Sequence, residues 1–328
     1  MAVCSVIIPF YQKQPEILSR ALKSVFAQTF QDFQVLVVDD ASPLPAEDEL
    51  AGLAAEDRQR IEVIRQDNSG PGGARNTGLD HVAPETRFVA FLDSDDEWAP
   101  HHLENAVGAM TRFEADCYWD AIEGGSAFYY HFGMATVEEK TPTTRLSDDP
   151  VVLDVPNLAG VMLQNWSFMH MSCMVLGGDL FPKVRFEPSL RLAAEDVLFF
   201  YDCVRNARHP ILCDAAGAYR GEGLNIFHSI DNSSPLFLRQ QFNTWVALDN
   251  LARRFDHNAE DRASIDSYKR TARQQALWSQ AAQFKRRKAP QWSLLAEWIR
   301  RDPKLLTSAL ELAAGKVMGH GRRAAPGQ

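Results

Sequence analysis

The chain has 328 residues, 45% apolar and 23% charged, with a net charge of −9, a globular composition long enough for one large domain or two modest ones. No run approaches the roughly 18 apolar residues that a membrane-spanning helix needs. The five scattered cysteines, Cys4, Cys117, Cys173, Cys203 and Cys213, form no CxxC pair, which argues against a zinc site or a disulfide framework and suits a reducing compartment.

The opening MAVCSVIIPFY lacks a basic start and a long apolar core, so it does not read as a signal peptide. The β-branched run 3–10 predicts a first strand, and the spacing of Ile17, Leu18, Ala21, Leu22, Val25 and Phe26 predicts a helix over 16–30. A second strand is expected at 33–40, a helix at 46–57 and a third strand at 61–66. The Gly-rich stretch 68–78 reads as a loop leading into a short helix. A fourth strand follows at 87–93, and another helix begins near Pro100. Near-continuous apolar strands, alternating with helices, predict a mainly parallel α/β sheet covered on both faces. Residues 117–132 are expected to hold one or two strands, and the polar stretch 136–150 reads as an exposed loop. A strand and turn are expected at 169–181, a helix at 192–207, and mainly helix from 236 onward.

Ligands of parallel α/β sheets bind at the carboxyl ends of the strands, and the informative residues gather there. Asp39 and Asp40 end the second strand, the Gly-rich stretch follows the third, and FLDSDDEW (91–98) follows the fourth. Three aspartates and a glutamate packed this closely repel one another. Such a cluster holds a divalent cation, supplies a nucleophile or stays solvated. A cation would relieve the repulsion, and Mg²⁺ and Mn²⁺ favour carboxylates combined with substrate phosphates. GPGGAR (70–75) is not a dinucleotide fingerprint, because it lacks GxGxxG and follows the third strand.

Taken together, SVIIPFYQK, ALKSVFAQTFQDFQVLVVDDAS, NSGPGGARNTGL, FVAFLDSDDEW and RLAAEDVLFF resemble the family 2 glycosyltransferases of the GT-A fold, in order and spacing, from residue 5 to about 200. The resemblance implies a Rossmann-like nucleotide-sugar-binding fold with a helical C-terminal extension. Its catalytic domain would span 1–235, divided into a nucleotide-sugar half (1–115) and an acceptor half (116–235), and 236–328 would form the helical, basic C-terminal region. It also implies roles: Pro9 and Tyr11 at the nucleotide base, Asp40 accepting from the uracil N–H, and Arg75 and Asn76 near the nucleotide and its diphosphate. Asp93 and Ser94 would meet the nucleotide, and Asp95 the metal, Mg²⁺ or Mn²⁺. Asp196 would be the general base of an inverting transfer from a UDP-sugar, with Glu195 orienting its neighbours. His228 matches a late family histidine that approaches the metal, although it stands eight residues beyond Tyr219 and Arg220 instead of two.

Residues 269–328 carry 13 Lys/Arg against 3 Asp/Glu, while the remainder carries 21 against 40. Basic residues interleaved with Trp278, Phe284, Trp292 and Trp298 fit a helix on an anionic membrane, or a structural cap. The acidic body argues against nucleic acid. The overall pattern resembles bacterial exopolysaccharide glucosyltransferases of the succinoglycan type. That resemblance implies a UDP-glucose donor, a lipid-linked saccharide acceptor, and a cytoplasmic location on the inner face of the membrane. An aspartyl phosphatase also places DxD after an apolar strand, but Glu97 and the position of Asp93 disagree with it, and a degenerate sugar-nucleotide scaffold would not keep both Asp95 and Asp196.

Overall fold

The computed structural model describes residues 2–123, 134–165, 168–221, 230 and 232–309. The described residues of 1–191 and 195–225 form one compact unit, and those of 192–194 and 226–328 a second.

The first unit is built on one sheet. Its strands are β1 (Cys4–Phe10), β2 (Phe33–Asp39), β3 (Ile61–Arg65), β4 (Phe88–Phe91), β5 (Glu97–Trp98), β6 (Cys117–Glu123), β7 (Thr144–Asp148), β8 (Val151–Asp154), β9 (Met174–Gly177) and β10 (Pro210–Tyr219). They lie in the order β3-β2-β1-β4-β9-β6-β10-β8-β7, with β5 paired to β10. Strand β1 is buried along its full length. Covered on both faces, its Val6, Ile7 and Ile8 each contribute roughly 1.5–3 kcal/mol of apolar burial.

The pairings β1–β2, β2–β3, β1–β4 and β6–β10 are parallel, whereas β9 runs antiparallel between β4 and β6. The parallel run expected in the N-terminal half is present in β1 to β4, and the reversed strand comes from later in the chain. It has a functional consequence. The parallel strands end at one rim, and the antiparallel β9 begins at that rim, so the turn before β9 lands beside the acidic loop after β4.

The helices of this unit are α1 (Ile17–Phe26), α2 (Ala46–Glu49), α3 (Ala55–Arg58), α4 (Gly70–Asp80), α5 (His102–Arg112), α6 (Met134–Lys140), α7 (Leu158–Gln164) and α8 (Glu195–Asn206). Three expectations change here. The helix expected over 46–57 is two short helices separated by a turn. The stretch 136–150, read as a loop, contains the end of α6 and all of β7, which turns back into β8. The Gly-rich stretch is helical from Gly70 onward, because its glycines serve packing: a Cβ on Gly78 would lie 2.5 Å from Ile7 Cγ2, so glycine lets α4 lie close against β1.

The second unit holds α9 (Phe237–Arg254), α10 (Ala259–Lys285) and α11 (Trp292–Arg301). Asn258 caps α10 by accepting the Asp261 N–H at 2.8 Å. Fully buried Trp298 packs on Phe242 and Trp245, with ring centroids 5.3 and 6.1 Å away. The buried Arg273 Nε lies 2.5 Å from Asp302 Oδ2. The four aromatics singled out in the tail therefore divide: Trp298 is core, whereas Trp278, Phe284 and Trp292 are 53%, 68% and 67% exposed.

Candidate active site

The two aspartates that end β2 do different work. Asp39 is fully buried, and its carboxylate accepts the Ser42 N–H at 2.7 Å and the Ala46 N–H at 3.0 Å. It thereby folds the turn after β2 and starts α2. Asp40 accepts the Ser69 and Gly70 N–H groups at 2.7 and 2.9 Å and the Gln66 Nε2 at 2.6 Å. It caps α4 from a neighbouring strand end, satisfying helix donors that would otherwise lack partners.

Pro9 is buried within β1, opposite Val38, and Tyr11 is partly buried just beyond it. Gln12, absent from the sequence-based candidates, joins three rim segments. Its N–H donates to Ser42 Oγ at 2.9 Å, and its Nε2 donates to Ser94 Oγ at 3.2 Å. Its Oε1 is buried without a hydrogen-bond partner. The sequence signal for it was a glutamine two residues past a strand end.

Arg75 and Asn76 on α4 are held inside the protein. Arg75 Nη2 lies 2.6 Å from Asp93 Oδ1, Nη1 lies 3.9 Å from Glu195 Oε1, and the guanidinium sits 5.3 Å from the Phe186 ring centroid. Its side chain is 5% exposed. Burial opposes the charge, but Asp93 and Glu195 outweigh it and raise the pKa, so Arg75 stays cationic. Asn76 spends its amide on the Phe186 backbone, donating to its carbonyl at 2.9 Å and accepting its N–H at 2.8 Å.

The acidic loop after β4 is a tight turn, closed by Asp96 N–H donating to the Asp93 carbonyl at 3.0 Å. Burial would raise the Asp93 pKa, but Arg75 and then His170 hold it below the usual carboxylate range. Burial, followed by the charges of Asp96 and Asp93, pushes Asp95 up to about 7. Burial also raises Asp96, against the pull of His170. Asp96 Oδ2 accepts the Ser172 hydroxyl at 2.6 Å, and its Oδ1 accepts the Gly221 N–H at 3.1 Å. At Gly221 a Cβ would fall 1.5 Å from the Asp95 carbonyl oxygen, so only glycine lets the chain after β10 cover this loop.

Asp93, Asp96 and His170 offer one ligand atom each within 4.8 Å of one another. Two carboxylates and an imidazole fit a divalent cation. Asp95 is outside this trio, and His228 lies outside the described residues. His170 and Ser172 were not among the sequence-based candidates; the only sign of them was a polar His-x-Ser inside the apolar MHMSCMV run.

Helix α8 brings the last pair. Phe199 stacks on Phe186 with centroids 3.7 Å apart and meets Phe91 of β4 edge-on at 5.9 Å, which fixes the helix start near the acidic loop. Asp196 is partly buried and accepts the Val197 N–H at 2.7 Å. Glu195 is buried, and burial followed by the Asp196 charge pushes it up to about 8, against the pull of Arg75. Adjacent carboxyls thus sit in different surroundings, as sites that divide acid and base roles require.

Residues 5–163 match the sequence profile of Glycosyl transferase family 2. The chain is 65% identical over 317 residues to the succinoglycan biosynthesis protein ExoW of Rhizobium meliloti (strain 1021), covering 97% of this chain and 99% of that one. Over 99 residues it is 38% identical to the GalNAc(5)-diNAcBac-PP-undecaprenol beta-1,3-glucosyltransferase of Campylobacter jejuni, covering 30% and 31% of the two chains. Among solved structures, S. aureus TarS 1-349 in complex with UDP-GlcNAc aligns with a TM-score of 0.61 at 20% identity, covering 85% of this chain and 80% of that one. The sheet with its flanking helices is the GT-A fold. A similarity that runs the length of a relative carries the conclusion: the chain belongs to glycosyl transferase family 2 and is a glycosyltransferase.

Proposed function

We propose that the protein is an inverting, metal-dependent glycosyltransferase that moves glucose from UDP-glucose to a lipid-linked saccharide intermediate in exopolysaccharide synthesis. The observation that carries this reading is the meeting of the acidic loop with the start of α8 through Arg75, 2.6 Å from Asp93 and 3.9 Å from Glu195. Donor-side and acceptor-side carboxylates thereby share one rim. The similarity to ExoW supports the exopolysaccharide context, and that to the undecaprenol-linked glucosyltransferase supports the acceptor class.

In this reading Pro9, Tyr11 and Asp40 receive the nucleotide base, and Asp93 and Ser94 face its ribose. Arg75 acts from behind, as the counter-ion that keeps Asp93 ionised. Asn76 positions Phe186, against which Arg75 and α8 rest. Asp95, with its neighbours, holds the divalent cation. A bound cation supplies charge neutralisation for the departing diphosphate. Asp196 takes the proton from the acceptor hydroxyl as its oxygen attacks the anomeric carbon. One attack with one base inverts the anomeric configuration.

The test is transfer from UDP-glucose to a lipid-linked oligosaccharide with Mn²⁺, with GDP- and dTDP-glucose as alternatives and the linkage read by NMR of the anomeric proton. A β-linked product from the α-linked UDP donor is expected. A retained α linkage, or a preference for another nucleotide, would overturn the assignment.

The membrane is the natural meeting place for a lipid-linked acceptor. No helix among the described residues is long and apolar enough to cross it. The end of α10 and the turn after it expose Lys285, Arg286, Arg287 and Lys288 beside Phe284 and Trp292. This combination suits an anionic lipid surface, where each basic residue contributes about 1 kcal/mol before screening. Replacing these four by Gln should release the protein from acidic liposomes in a sedimentation assay, while transfer to a short soluble acceptor persists. Unchanged sedimentation with a lowered thermal transition would make the segment a structural cap.

A further inference from the structure

We propose that His170 is a protein ligand of the divalent cation, acting with Asp93 and Asp96, and that it tilts the site toward Mn²⁺ over Mg²⁺. The inference rests on the metal-dependent reading above. It adds a residue from outside the acidic motif, and with it a basis for choosing among metals.

The topology explains how residues so far apart in sequence meet. Strand β9 pairs antiparallel with β4, Ala90 lying opposite Val175. The turn Met171–Cys173 that precedes β9 is therefore delivered to the rim where β4 ends. Ser172 locks it there. Its Oγ accepts the Asp93 N–H at 3.1 Å and donates to Asp96 Oδ2 at 2.6 Å, and its carbonyl accepts the Trp98 indole N–H at 2.7 Å. A serine bonded to both aspartates fixes the position of the histidine two residues before it.

The separations suit shared coordination. His170 Nδ1 lies 3.6 Å from Asp96 Oδ2, too far for a good hydrogen bond, and it accepts the Ser172 N–H at 3.3 Å, a long contact that a bond to a cation would replace. With metal–ligand bonds of about 2.0–2.3 Å, two atoms on one ion lie roughly 3–4.5 Å apart. The side chains of His170 and Asp96 are only 14% and 4% exposed, so the ion would be largely shielded from water. Asp96 keeps acceptor capacity for it, because each of its oxygens receives one of the two donors named above and has a second lone pair. A set of two carboxylates and one imidazole is less suited to Mg²⁺, which takes oxygen ligands, than to a transition ion.

The experiment uses the full chain with excess UDP. Mn²⁺ binding is titrated by the EPR signal of the free ion, and pulsed EPR reads nitrogen coupling to the bound ion. The wild type should bind Mn²⁺ with an imidazole nitrogen signature. His170→Gln and His170→Ala, each checked for a native thermal transition, should lose that signature and bind Mn²⁺ about 10- to 100-fold more weakly, with Mg²⁺ affinity changed less than threefold. A wild-type complex without nitrogen coupling overturns the inference even if neither variant folds. So does coupling that survives in His170→Gln. A wild type that binds no Mn²⁺ with UDP removes the metal-dependent reading itself, which distinguishes the two failures.

Discussion

Asp196→Asn is expected to lower the rate of sugar transfer by about two to four orders of magnitude, the range lost with a general base, or about 3–5 kcal/mol of barrier. The amide keeps the shape of the side chain and can still accept the Val197 N–H that Asp196 accepts at 2.7 Å, so the first turn of α8 should stay in place. It cannot take a proton from a hydroxyl. UDP affinity, measured calorimetrically, should be retained, because the change acts on the acceptor side. Glu195→Gln is the control. Glutamine keeps the shape of Glu195, whose carboxyl lies 3.9 Å from Arg75 and takes no proton from the acceptor in this mechanism. Its loss of rate should stay below about tenfold, far smaller than a base requires. Near-normal transfer by Asp196→Asn would remove Asp196 from the mechanism.

Asp95→Ala should abolish transfer and metal-dependent binding of the UDP-sugar without unfolding the protein. Asp95 is pushed up to about 7 by burial and by the Asp96 and Asp93 charges, so its ionised form is a cost to the folded state unless a cation offsets it. The sign follows by linkage. The folded carboxyl holds its proton more tightly than the unfolded one, so stability is lost as pH rises from 3.8 to about 7. Alanine removes that cost, and the metal-free variant at pH 8 should melt no lower than the wild type. Calorimetric titration of UDP-glucose, with Mn²⁺ and with a chelator, decides the functional half. Equal affinity in both conditions for wild type and variant would show that Asp95 has no part in holding a metal.

Much of this protein can be read along the chain. The runs that become β1, β2 and β4 are almost wholly apolar because both faces of those strands are covered, and a local run of side chains records that burial. The acidic loop and the Glu195–Asp196 pair are likewise contiguous, so their chemistry is visible in a few letters. Other features depend on contacts between distant segments. Asp39 and Asp40 are neighbours of the same type, yet one folds the turn into α2 and the other caps α4. Glycines that suggest a loop become a helix because Gly78 must clear Ile7. Trp298 is core and Trp292 is exposed, although both belong to one basic, aromatic stretch. The placement of His170 beside Asp93 and Asp96 follows from the reversal of β9. Strand direction and partner are set by pairing energies across the sheet, and no local period of hydrophobicity encodes them.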